Sequence, residues 1–113
     1  MDCLFRTFVA EACEAKNLQG RAEEFWYMPV TEFDPDCVDA VRSATAELGY
    51  SSMEMVSGAG HDALYLAKVA PTSMIFVPCR DGVSHNEAED AKPEDLEAGC
   101  NVLLHAMLRM AQA

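Results

Sequence analysis

Two histidines are the residues of this sequence best placed to do chemistry together. His61 follows the apolar run 52–56, and His85 follows the apolar run 73–77, so the two lie 24 positions apart in the chain. If both runs are parallel strands, the two imidazoles emerge at the carboxyl edge of one sheet, where open α/β sheets bind their ligands. We therefore expect the two rings to share one site.

Each histidine has a chemical interpretation and a plain alternative. His85 could bind a metal ion, because imidazole is a metal ligand at neutral pH and the neighbouring carboxylates could orient its ring. A single histidine cannot hold zinc, which takes roughly three or four protein ligands, and a solvated loop histidine is the alternative. His61 lies at a predicted helix start, where backbone N–H groups favour an anion; a helix-capping turn without chemistry is the alternative there.

Apolar spacing predicts the elements that must position these residues. Asp34 and Pro35 are typical of a helix start, and Gly49 is typical of a helix end. The last helix carries an apolar stripe, and we expect the chain alone to expose a large apolar patch; the members of the stripe are Leu96, Cys100, Leu103, Met107 and Met110. The predicted order is a helix near 3–18, a strand in 22–30, a helix over 35–48, a strand at 52–56, a helix to about 69, a strand at 73–77, a polar loop over 78–93 and a final helix to about 110.

The strand, helix and strand between residues 52 and 77 predict a parallel unit, because the connection is too long for a hairpin and long enough for a crossover. The predicted fold class is therefore α/β, a partial parallel or mixed sheet with flanking helices. A length of 113 residues is that of one domain, and one compact unit is the default expectation.

Composition excludes several classes of function. The formal charge of −11 repels phosphate backbones and anionic lipid, so neither nucleic acid nor a membrane surface is an expected partner. No apolar run approaches the roughly 18 to 20 residues that span a bilayer, and Asp2, Glu11 and Glu14 interrupt the region where a secretory signal would be apolar. We expect a cytoplasmic protein. Five scattered cysteines form neither a disulfide framework nor a zinc knuckle, and we expect most of them to be buried.

Four sequence blocks, in this order and spacing, resemble one family of enzymes. The blocks are SGAGHDA at 57–63, PTSMIFVP at 71–78, GVSHN at 82–86 with Glu89, and EDL at 94–96 with Gly99. Together they resemble the metal-dependent amidohydrolases that comprise N-carbamoyl-L-amino-acid hydrolases, allantoate amidohydrolases and β-ureidopropionases, which are relatives of the di-zinc aminoacylases and carboxypeptidases. The likeness corresponds only to the C-terminal part of a family chain.

The resemblance implies an origin for each part of the chain. Residues 1–30 resemble the end of the lid and dimerisation domain, and residues 31–113 resemble the C-terminal part of the catalytic domain. The implied reaction is hydrolysis of a linear C–N amide or ureido bond in a small molecule, with two divalent metal ions, zinc or manganese, as cofactors. The family's other metal ligands, its catalytic glutamate and its lid arginine all lie outside this sequence.

The resemblance also assigns roles to individual residues. His85 matches the last metal ligand, and His61 matches a catalytic histidine that contacts the substrate and could stabilise an oxyanion. Glu89 would support the loop of His85. The substrate pocket would be shaped by Gly58, Ala59, Gly60 and Asp62.

Three interpretations of the chain stay open at this point. The first is a fragment of the amidohydrolase, inactive alone, that would need a partner chain or a longer polypeptide. The second is a non-catalytic interaction module that pairs with itself, as a homo-oligomer, or with a full-length enzyme. The third is an independent metalloprotein with one ion bound by His61, His85, Asp62 and Glu89.

Overall fold

The computed structural model describes residues 2–112 and divides the chain into two compact units, Met1–Val30 and Thr31–Ala113. The single unit expected from length alone is therefore not what forms. The division falls where the family resemblance separates a lid-like part from a catalytic part. The origin of either unit in a particular domain stays a prediction.

The first unit is one helix followed by irregular chain. Helix α1 spans Asp2–Ala15, close to the predicted 3–18. Beyond it the Leu18 N–H donates to the Cys13 carbonyl at 2.8 Å, which turns the chain back toward the helix. Gly20 packs directly on the sulfur of Cys13, where a Cβ would clash. Residues 22–30, predicted as a strand, have irregular backbone.

The second unit is built on two longer helices. Helix α2 spans Pro35–Glu47, and the Asp34 carboxylate caps it by accepting the Cys37 N–H at 2.9 Å. Gly49 then adopts a φ of 72°, which only glycine takes without strain. Helix α3 is a single turn, Ala63–Leu66, shorter than predicted. A 3₁₀ turn at Arg80–Gly82 precedes helix α4, Pro93–Met110.

Helices α2 and α4 pack through small side chains. Among residues 2–112 the buried apolar side chains are Ala40, Ala44, Val102 and Ala106. Methyl groups at the contact let the two backbones approach closely, and Ile75 packs against the edge of this cluster. No buried side chain in the described part of the chain is larger than valine, so the core is small.

The predicted α/β sheet is wrong. Residues 2–112 contain helices and irregular backbone but no strand. The runs 52–56 and 73–77 have the composition of strands, but a strand exists only where a neighbouring backbone accepts and donates its hydrogen bonds. Residues at the start of the second run bond to the first turn of α2 instead. The Asp34 N–H donates to the carbonyl of Thr72, just before the run, at 3.0 Å. The Ser73 hydroxyl donates to the Cys37 carbonyl at 3.4 Å.

The apolar stripe of α4 is not the side of the helix that packs against α2. The buried positions of this helix are Val102 and Ala106, which lie off the stripe. The four largest stripe residues are between 40% and 62% exposed; they are Leu96, Leu103, Met107 and Met110. These side chains line an open groove of about 860 Å³, here called the α4 groove, together with Ile75 and Val77.

We expect Ala44→Leu to destabilise the second unit by about 1–3 kcal/mol, the usual cost of forcing extra methylenes into a packed contact. Ala44 is fully buried between α2 and α4, with 0% exposure. Urea denaturation of the two proteins measures the difference. Ala46→Leu, on the exposed side of the same helix, is the matched control and should change stability by less than about 0.5 kcal/mol. Equal effects of the two substitutions would contradict the helix contact.

Candidate functional site

The structure brings His61 and His85 together. Their ring centroids lie 6.2 Å apart, with the ring planes tilted by 49°. His61 is half-buried and His85 is exposed. The sequence predicts this proximity through a shared sheet edge, but here two turns converge without a sheet.

Two residues that the sequence analysis did not select hold the ring of His61. The Ser57 Oγ lies 2.8 Å from His61 Nε2, and Phe76 meets the imidazole edge-on, with centroids 5.5 Å apart and planes at 65°. Serine four positions before a histidine in a glycine-containing turn is a usable signal for such a bond. Phe76 gave no comparable signal, because its apolar run was interpreted as a buried strand.

The turn between Ser57 and His61 is open on its glycine positions. A Cβ added at Gly58 or Gly60 would meet nothing within 4 Å, and neither glycine has a positive φ. The steric requirements of this chain alone therefore do not explain why glycine stands at either position. The backbone at these two glycines therefore has space beside it for another molecule.

The helix after this turn gives no support to the expected anion site. Helix α3 has only four residues, so few peptide dipoles add up behind its first N–H groups. Asp62 occupies the position before the helix, but its side chain makes no capping hydrogen bond and is exposed. The expectation of anion binding at this helix start is not supported.

The loop that carries His85 is fixed by its own hydrogen bonds. His85 has a φ of 56°, a conformation that L-residues rarely adopt. Its N–H donates to the Glu89 carboxylate at 2.7 Å, and this charge-assisted bond holds the unusual backbone. The loop is closed at its base where the Arg80 N–H donates to the Asp90 carbonyl at 2.6 Å. Glu89 thus contacts the backbone of His85 directly.

The residues of this chain do not by themselves fit a metal site. No group of three or more His, Cys, Asp or Glu side chains in residues 2–112 is placed to hold an ion. His61 Nε2 is engaged by a hydroxyl, and the Glu89 carboxylate faces a backbone N–H of His85 rather than sharing a coordination sphere with its ring. The mononuclear metalloprotein considered from the sequence therefore has no support in the structure.

The cysteines differ from the expectation that most are buried. All five are free; Cys3 and Cys100 are exposed, and the others are half-buried. Partial burial and the neighbouring Asp34 carboxylate raise the pKa of the Cys37 thiol above its ordinary value, which disfavours the reactive thiolate.

Within residues 2–112, no helix is long and apolar enough to cross a membrane.

Comparison with known proteins identifies the family. Residues 13–109 match the family described as peptidase family M20/M25/M40. The chain belongs to this family. M20 enzymes are generally metal-dependent, and the resemblance recognised from the four sequence blocks is confirmed.

The relatives of this M20 chain are amidohydrolases of much greater length. It is 60% identical over 100 residues to the N-carbamoyl-L-amino-acid amidohydrolase of Rhizobium meliloti. This match covers 88% of this chain and 24% of that protein. It is 34% identical over 99 residues to the allantoate amidohydrolase of Bacillus subtilis, with the same two coverages. A hydantoinase/carbamoylase family amidase from Burkholderia vietnamiensis superposes with a TM-score of 0.85 at 56% identity, over 96% of this chain and 26% of that one. The chain thus spans about a quarter of the length of these relatives.

Proposed function

We propose that this chain forms part of the active site of a metal-dependent amidohydrolase that cleaves linear C–N amide or ureido bonds, of the N-carbamoyl amino acid or allantoate type. The observation that carries the proposal is the 6.2 Å separation of the His61 and His85 rings. The names of the M20 relatives support the class of substrate. In this proposal the parent enzyme works in the cytoplasm.

His85 is proposed as one ligand of a divalent ion, zinc or manganese. Its loop is held by hydrogen bonds and its ring is exposed. A ligand must be accessible in this way if it shares a metal ion with residues from another segment. Because a catalytic zinc takes roughly three protein ligands, the others must come from outside this chain. The chain alone is therefore proposed to be inactive.

His61 is proposed as the residue that donates a hydrogen bond to the oxygen on which negative charge develops. The ring is held by Ser57 and Phe76, so its orientation is set before substrate arrives. The open backbone at Gly58, Ala59 and Gly60 would accept the substrate, and the exposed Asp62 carboxylate would line the same pocket.

A graft tests this proposal. The graft is the Rhizobium meliloti enzyme with its 100 matching residues replaced by those of this chain, an exchange between sequences that are 60% identical. We expect it to hydrolyse an N-carbamoyl-L-amino acid within about tenfold of the kcat/KM of the unaltered relative, a loss of about 1.4 kcal/mol or less. The 113-residue chain alone should give no turnover above the blank.

The two arms of this experiment can each contradict the proposal. Turnover by the chain alone would show that its own residues suffice. A graft that folds and binds its metal, but hydrolyses neither an N-carbamoyl amino acid nor allantoate, would contradict the proposed site.

A second candidate function is that of an interaction module that pairs with itself or with a full-length enzyme. The observation that favours it is the α4 groove, because its apolar side chains have no cover within the described residues. A stable dimer of the chain in light scattering, together with an inactive graft, would favour this candidate over the first.

A further inference from the structure

We propose that Ser57 is a positioning residue that fixes His61 with its ring proton on Nδ1, the nitrogen that can then donate to a substrate. This inference rests on the proposed function, since it concerns the same histidine. It begins from a hydroxyl that touches three polar atoms of one turn. The Ser57 Oγ lies 2.8 Å from His61 Nε2, 3.2 Å from the Ala59 nitrogen and 3.3 Å from the Ala59 oxygen.

The hydroxyl has one proton and two acceptor positions to distribute among these contacts. The Ala59 N–H is a donor, so it occupies one acceptor position of the Ser57 oxygen. The single proton must then go either to His61 Nε2 or to the Ala59 carbonyl. The contact of 2.8 Å has the same length whichever atom donates, so the proposed role of His61 decides. With Nε2 facing Ser57, only Nδ1 can donate to a substrate, and the Ser57 proton must then go to Nε2 rather than to the Ala59 carbonyl.

The state of the imidazole follows from this assignment. If Nε2 accepts the Ser57 proton, the neutral ring carries its own proton on Nδ1. The edge contact with Phe76 keeps the ring from turning freely. Ser57 is half-buried, which shields the bond from competing water. The pair therefore presents one defined N–H donor, as stabilisation of a developing oxyanion requires.

Kinetics of the graft test the coupling between the two residues. Ser57→Ala should lower kcat about 3- to 10-fold, the fold-change of one net hydrogen bond, while KM changes less than about twofold. Ser57→Thr, which keeps the hydroxyl, should restore most of kcat. In a His61→Ala background, Ser57→Ala should cause no further loss, because its effect passes through the imidazole. The exposed Ser52→Ala is the matched control and should leave kcat unchanged.

A spectroscopic arm separates this inference from the proposed function. In the 113-residue chain labelled with ¹⁵N-histidine, at a pH where the ring is neutral, His61 should show a protonated Nδ1 and an unprotonated Nε2. Ser57→Ala should move these signals, which are assigned by their loss in His61→Gln. An inactive graft would count against the proposed function and leave this arm to decide. Unchanged His61 signals in Ser57→Ala, or an equal kinetic loss in the His61→Ala background, would overturn the role of Ser57.

Discussion

His85→Ala in the graft should lower kcat/KM by about 10³-fold and reduce the bound metal. A metal ion contributes several kcal/mol of stabilisation to the developing charge, and each 1.36 kcal/mol corresponds to about tenfold in rate. The side chain is exposed on a loop that Glu89 and the Arg80–Asp90 contact already hold. Removing the ring should therefore remove a ligand without unfolding the loop. Metal analysis by mass spectrometry and steady-state kinetics measure the two effects.

The third histidine of the chain provides the control for this experiment. His105 lies half-buried in α4, outside the converging turns. His105→Ala should leave the metal content and the activity of the graft within about threefold of the unsubstituted protein, the effect of under 1 kcal/mol expected for a site without a special role. If His85→Ala keeps its metal and its activity, His85 is not a ligand.

His61→Ala in the graft should lower kcat by about 10²- to 10³-fold, the effect of removing one hydrogen-bond donor from an oxyanion site. The metal content should stay unchanged, since Nε2 of this ring is engaged by Ser57. The effect on KM should be much smaller than the effect on kcat, because the bond is formed mainly in the transition state.

The two histidine variants should thus separate into different classes. His85→Ala loses metal and activity together, whereas His61→Ala loses activity alone. A His61→Ala graft that keeps normal kcat would contradict its proposed role. So would a loss seen only in KM, because that pattern belongs to ground-state binding.

Local signals predicted three of the helices well, namely α1, α2 and α4, but overestimated the length of α3. Asp34 and Pro35 mark the start of α2, and the structure confirms the cap with a hydrogen bond of 2.9 Å. Apolar residues repeated at helical spacing over several turns, and this pattern predicted α4, which extends over Pro93–Met110. Both signals are local, because a helix bonds its own backbone within four residues.

Pairing between distant segments could not be predicted in the same way. The runs 52–56 and 73–77 have strand composition, but composition does not reveal whether a partner backbone lies alongside. The same limit applies to the packed side of α4, which the sequence analysis did not predict. Apolar periodicity shows which side of a helix is apolar, but the partner helix α2 presents Ala40 and Ala44, and these pack on Val102 and Ala106.

The candidate site was predicted in part. The convergence of His61 and His85 followed from two turns that each come after an apolar run, and the structure places the rings 6.2 Å apart. The hydroxyl of Ser57 and the ring of Phe76 were missed, because their contacts with His61 depend on side-chain directions that one-dimensional patterns do not contain. The catalytic and metal-binding roles stay predictions.

The central claim is that His61 and His85 belong to one active site whose remaining groups come from outside this chain. A crystal structure of the graft, with anomalous scattering recorded at the absorption edge of its bound metal, tests it most directly. We expect a metal peak at the ring of His85, with the ring of His61 held by Ser57 about 6 Å from that of His85, as in the chain itself. A metal bound away from His85, or the two rings on opposite sides of the segment, would contradict the claim.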